Sequence, residues 1–98
     1  MTHIPIDHEK IVDFCKKHHI RRLSFFGSVL RDDFGPGSDV DVLVEFETGF
    51  MPGLAFFAME RELSVIIGRR VDLNTPRFLS PYFRDEAVAE SVTEYAAA

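Results

Sequence analysis

The chain has 98 residues, a formal net charge of −5, one cysteine and no tryptophan. A chain of this length buries roughly 60–65% of its unfolded surface, so one small core and a single domain over residues 1–98 are expected. The acidic balance argues against direct nucleic-acid binding, which needs a basic stripe; the lone Cys15 excludes an internal disulfide framework and fits a reducing cytoplasm; and no apolar run approaches the ~18 residues of a membrane span.

Asp7 to His19 reads as a helix, capped by Asp7, with Ile11, Phe14, Cys15 and His18 on one face. His18-His19 falls at its end, where the helix dipole favours positive charge. Arg22 to Phe26 is a short strand ended by Gly27. Ser28 to Asp32 is a helical turn, and Gly35-Pro36-Gly37-Ser38 a tight loop. Asp39 to Phe46 is a second strand, apolar enough to be mostly buried. Thr48 to Gly53 is a loop. Leu54 to Ile67 is a helix with Phe56, Met59, Leu63, Ile66 and Ile67 on one side, ended at Gly68. Phe56-Phe57 gives it more apolar surface than one face needs, which suits core or a partner contact. Arg69 to Asn74 is a third strand. Ser80 to about Tyr95 reads as a last helix, with Ser80 as cap, Pro81 at the first position and Phe83 as an early core contact.

Chemistry concentrates at two places in this series. Side chains repeat every second residue on a strand, so Asp39 and Asp41 point to one face. Two carboxylates that close repel each other unless a cation lies between them. Hard divalent ions such as Mg²⁺ take such oxygen ligands together with substrate phosphates. Gly27-Ser28 supplies a turn that lets backbone approach a ligand closely, with free N–H groups suited to phosphate. If Ser28 and Asp39 share a site, the first two strands run antiparallel. Asp72, near the start of the third strand, reaches that site only if the second and third strands run parallel, with the Leu54–Ile67 helix as crossover. The expected fold is α/β (α+β): a small mixed three-stranded sheet flanked by helices, in the order α-β-(α)-β-α-β-α.

The run Phe26-Gly27-Ser28-Val29-Leu30-Arg31, then Ser38-Asp39-Val40-Asp41-Val42-Leu43-Val44-Glu45-Phe46, then Arg69-Arg70-Val71-Asp72-Leu73, resembles the signature of minimal nucleotidyltransferases of the DNA polymerase beta-like superfamily. The similarity covers about Leu23 to Thr75. It implies that Asp39, Asp41 and Asp72 are catalytic and hold metal, two Mg²⁺ ions being expected, with ATP as substrate. Gly27, Ser28, Arg31 and Ser38 would contact the nucleotide. Asp72 is a further candidate for the general base, with an ion pair to Arg69 or Arg70 as its plain alternative. Ser28 could instead cap the turn, Arg31 could pair with Asp32 or Asp33, and Ser38 could orient Asp39 or close the loop. The family pattern has glycine after the arginine. Here Asp32 adds a negative charge beside the phosphate turn, which would weaken nucleotide affinity.

Proteins of this size in that family resemble the antitoxins of paired prokaryotic toxin–antitoxin systems. The resemblance implies AMP transfer from ATP to a tyrosine of a helical HEPN-type ribonuclease toxin. It also implies a hetero-oligomer with that toxin, or a second copy that completes the site. Two other readings stand beside it. A degenerate site could neutralise the partner by stoichiometric contact, and a small-molecule nucleotidyltransferase is less suited because it lacks the appended domain.

Overall fold

Val40, Val42 and Val44 alternate with Asp41, Leu43 and Glu45, so the strand they form has one apolar face and one mixed face. The computed structural model, which describes residues 4–31, 34–35, 37–79, 81–82 and 84–97, places that strand inside a four-stranded sheet. The elements follow as α1 (His8–Lys17), β1 (Ile20–Phe26), a 3₁₀ turn (Gly27–Leu30), β2 (Val40–Phe46), α2 (Ala55–Ile67), β3 (Val71–Asn74), a 3₁₀ turn (Pro76–Phe78), α3 (Arg84–Glu90) and β4 (Val92–Ala96). The spatial order is β3-β2-β1-β4. β1 is antiparallel to β2 and to β4, and β2 is parallel to β3, as the shared site requires.

The three-stranded sheet expected from sequence is corrected to four. Alanines favour helix through the C-terminal stretch, but α3 stops at Glu90, where both the amide and the hydroxyl of Ser91 donate to Val88 O. Val92-Thr93 then supplies β-branched residues, and the open edge of β1 supplies a partner. Tertiary pairing overrides helix propensity there. Ser80 and Phe83, read as cap and early contact, lie outside the described residues, as do Asp32 and Asp33.

The apolar face of the sheet packs on α1 and α2. Leu23 and Phe25 of β1, Val40, Val42 and Val44 of β2, and Val71 and Leu73 of β3 meet Ile11, Phe14 and Cys15 of α1 and Phe56, Met59 and Leu63 of α2. Asp7 caps α1 through its carboxylate, which accepts from Lys10 N–H at 3.3 Å. Cys15 is fully buried, and burial pushes its thiol up to about 12, so it fills space and carries no thiolate. His18 does more than answer the helix dipole: its Nε2 lies 2.9 Å from Glu62 Oε1 and its ring 4.7 Å from that of Phe14, tying α1 to α2.

The other face is covered only in part. Phe26 and Leu43 are buried there beneath Leu79 and Ala87, the latter on α3. Edge strand β3 is fastened from the crossover helix. Glu60 Oε2 accepts from Leu73 N–H at 2.8 Å, and Ser64 Oγ accepts from Val71 N–H at 3.1 Å. These bonds use backbone donors that an edge would leave open, and they fix the strand that carries Asp72.

Candidate nucleotide and metal site

Register brings the site together. Phe26 faces Asp41 across β1 and β2, and Asp41 faces Asp72 across β2 and β3. Cross-strand partners share a face, so both carboxylates lie on the mixed face, beside the turn that begins at Gly27. Asp39 precedes β2 by one residue, and its side chain is about half exposed (46%). Among the expected residues, Asp39, Asp41, Asp72 and Gly27 therefore converge.

The electrostatics record that convergence. Burial first, then the carboxylates of Asp72 and Asp39, push Asp41 up from 3.8 to about 6, while Arg31 works in the opposite direction. A hydrogen bond between the Asp41 and Asp72 carboxyls adds to the rise. Such a bond needs a proton on one of the two, the usual response of crowded carboxylates without a cation.

Gly27 is fixed by this packing. It has φ +74°, and a Cβ there would overlap Oδ2 of Asp41 and lie 3.2 Å from its Cγ. The residue keeps the turn against the carboxylate, a close approach that no other side chain permits. Ser28 Oγ donates to Asp39 O at 3.5 Å, a long contact between the turn and the start of β2. Arg31 is exposed and contributes positive charge near Asp41. Ser38 closes its loop: Oγ accepts from Gly35 N–H at 3.2 Å, and its own amide donates to Gly35 O at 3.0 Å. Neither Arg69 nor Arg70 forms an ion pair with Asp72 among the described residues. Arg70 Nη1 instead lies 3.9 Å from Asp39 Oδ1, and Arg69 reaches Gly35 O.

A cleft of about 230 Å³ opens beside the turn, lined by Phe26, Gly27, Arg31, Glu86, Ala87 and Glu90. The acids of α3 in this wall carry no local signal in the sequence, because they come beside Gly27 only through packing between residues far apart in the chain. A larger hollow of about 660 Å³ lies at the opposite ends of β2 and β3, lined by Phe46, Phe50, Met51 and Phe56 with Pro76 and Arg77. Asp41 and Phe46 are five residues apart on β2, roughly 16 Å at strand rise, so this apolar hollow is separate from the carboxylates. Phe56 belongs to the core, whereas Phe57 is 60% exposed, which divides the aromatic pair between the two roles considered for it.

The oxygen-only donor set suits a hard cation. Among the described residues no three His, Cys, Asp or Glu side chains already stand in an arrangement that could hold a metal ion. Asp41 and Asp72 turn to one another instead. Among the same residues no helix is long and apolar enough to cross a membrane.

Comparison with known proteins places the fold. A protein of Methanocaldococcus jannaschii, provisionally named protein adenylyltransferase MJ0435, is 35% identical over 83 residues, which span 85% of this chain and 88% of that protein. A solved structure described as a minimal nucleotidyltransferase, also provisionally, superposes with a TM-score of 0.71 at 33% identity, over 87% of this chain and 86% of the other. A chain from the complex of tri-AMPylated Shewanella oneidensis HEPN toxin with MNT antitoxin shares the fold, with a TM-score of 0.66 at 18% identity, over 92% of this chain and 70% of the other. Residues 8–93 match the family described as nucleotidyltransferase domain. With the Gly27 turn and the paired Asp41 and Asp72 falling inside that span, the chain belongs to the nucleotidyltransferase domain family.

Proposed function

We propose that this protein is a Mg²⁺-dependent protein adenylyltransferase that acts as an antitoxin, moving AMP from ATP to a tyrosine of a helical HEPN-type toxin. The observation that carries the reading is the register alignment of Asp41 with Asp72, against a turn that only glycine can make. The relative named protein adenylyltransferase and the fold shared with a chain of an AMPylated toxin–antitoxin complex support it.

The carboxylates fit a hard divalent ion: burial, and then repulsion from Asp72 and Asp39, raise Asp41, which is hydrogen-bonded to Asp72. Asp39, Asp41 and Asp72 would hold the metal, whose chemistry there would be to neutralise negative charge on the phosphates. The Gly27-Ser28 turn would meet the phosphates with backbone N–H groups and the Ser28 hydroxyl. Arg31 would add positive charge at the same side, and Ser38 would act by shaping the loop before Asp39. In the transfer, the tyrosine oxygen bonds to the α-phosphorus as the bond from that phosphorus to the bridging oxygen breaks. Pyrophosphate leaves, and the phenolic proton passes to a carboxylate, for which Asp72 is the candidate. Such chemistry asks mainly for positioning and charge neutralisation.

The test uses ATP labelled at the α-phosphate, Mg²⁺ and a HEPN-type toxin that binds this protein. Label should pass to the toxin, and should be absent with Asp41→Asn. Absence of label in a bound wild-type complex would overturn the assignment. The stoichiometric reading draws on the exposed Met51, Leu54, Phe57 and Val65, apolar surface suited to a protein partner. It predicts that an Asp39→Asn, Asp41→Asn double variant still neutralises the toxin.

A further inference from the structure

Arg69 and Arg70 are adjacent in sequence, both basic, and both close to the loop that presents Asp39. Their contacts differ in kind. The Arg69 guanidinium donates from Nη2 to Gly35 O at 2.7 Å, and its Cζ lies 4.7 Å from the centre of the Phe34 ring. Gly35 O also accepts the Ser38 amide, and Gly35 N–H donates to Ser38 Oγ. Arg69 thus holds two neighbouring groups at the start of this turn, the Phe34 ring and the Gly35 carbonyl on which the turn before Asp39 closes. Arg70 contributes its backbone, since its carbonyl accepts from Val40 N–H at 2.9 Å. Its side chain is 82% exposed and only skirts Asp39 at 3.9 Å.

We infer that Arg69 is a positioning residue for Asp39, locking Phe34 and Gly35, and through Gly35 the hydrogen-bonded Ser38, to the head of β3, while the Arg70 side chain is a charge that competes with a cation for Asp39. Both arginines enter directly ahead of the strand that carries Asp72, so the clamp sets the separation between the first carboxylate and the third. A planar guanidinium makes the clamp effective, because one group serves a carbonyl and an aromatic face together. Lysine would keep the charge and lose that paired geometry. The two neighbours should therefore move metal binding in opposite directions when neutralised. Loss of Arg69 releases the loop that aims Asp39. Loss of the Arg70 charge deepens the negative potential at Asp39 and favours a cation.

The metal part rests on the nucleotidyltransferase reading proposed above; the loop part does not. The experiment has one arm for each. In the metal-free protein, amide hydrogen exchange at Ser38 is compared among wild type, R69Q, R69K and R70Q. Exchange should rise about tenfold in R69Q, for one lost hydrogen bond, and should stay at the wild-type rate in R70Q. In the second arm, Mn²⁺ is titrated against each protein with AMP-PNP present and read by calorimetry. The Mn²⁺ requirement should rise several-fold in R69Q, less in R69K, and fall in R70Q. Should R69Q fail to fold, R69K serves in both arms, with the same directions expected. Unchanged Ser38 exchange in the Arg69 variants would overturn the clamp. A shift of R69Q and R70Q in the same direction would reduce both to general charge and overturn it as well. Wild-type protein that binds no Mn²⁺ with AMP-PNP would contradict the nucleotide reading, while the exchange arm would still decide the role of Arg69.

Discussion

At Asp41, burial and two neighbouring carboxylates act together against ionisation, and the proton is held up to about 6. The folded value lies above the ordinary one, so the associated stability is present below about pH 4 and lost as pH rises through about 6. Metal-free Asp41→Asn should therefore melt higher than wild type at pH 7–8. A gain of about 1 kcal/mol is expected after discounting for solvent around this half-buried group, and the difference should vanish near pH 4. Thermal melts in EDTA across that range measure it. A lower melting point at pH 8 would mean the carboxylates do not repel. The same variant should lose Mg²⁺-dependent AMP-PNP binding. Gly27→Ala meets two obstacles, a positive φ and the Asp41 carboxylate. It should cost about 1–3 kcal/mol in urea unfolding, against less than ~0.5 kcal/mol for an unconstrained surface site.

Among the elements, β3 is the shortest strand, and it depends on α2 for its outer edge. Glu60 and Ser64 take the Leu73 and Val71 amides, so Glu60→Ala should destabilise by about 1–2 kcal/mol through an orphaned N–H and a lost charge-assisted bond. Urea unfolding checks this, and a change within error would place the Leu73 amide in water. Glu62 behaves differently. Burial works to raise it, but His18 and Lys17 outweigh that and hold it below the ordinary carboxylate value. Its contribution is thus present above that value and fades as pH falls through the lowered one. β4 is the element that sequence reading missed. Helix was legible up to α3, since Ala87 and its neighbours favour it, but the strand after Ser91 exists because β1 has a second edge to fill. Ser24 Oγ reaches Thr93 Oγ1 at 3.4 Å across that pair, a long-range contact with no local signal. Removing residues 92–98 should abolish cooperative melting followed by circular dichroism, because β1 would lose the partner along its other side. Cooperative unfolding at the wild-type temperature would show β4 to be dispensable.

Across the whole molecule, the two sheet faces divide the work. One packs α1 and α2; the other carries Asp41 and Asp72 under partial cover from Leu79 and α3. The strand directions were legible, because the order of Gly27, Asp39, Asp41 and Asp72 imposes them once they share a site. The clamp by Arg69 and the α3 side of the cleft were not legible, since each depends on contacts between residues far apart in the chain. Ligands that bind only the assembled carboxylates should stabilise the fold by mass action, about 2.7 kcal/mol at a hundredfold excess over Kd. The most direct measurement is calorimetric titration of AMP-PNP into wild-type protein and into Asp41→Asn, each with Mg²⁺ and with EDTA. Saturable binding to wild type that needs Mg²⁺ and disappears in the variant is the expected result. Equal binding in EDTA, or binding that survives in Asp41→Asn, would contradict a metal-dependent nucleotide site at these carboxylates.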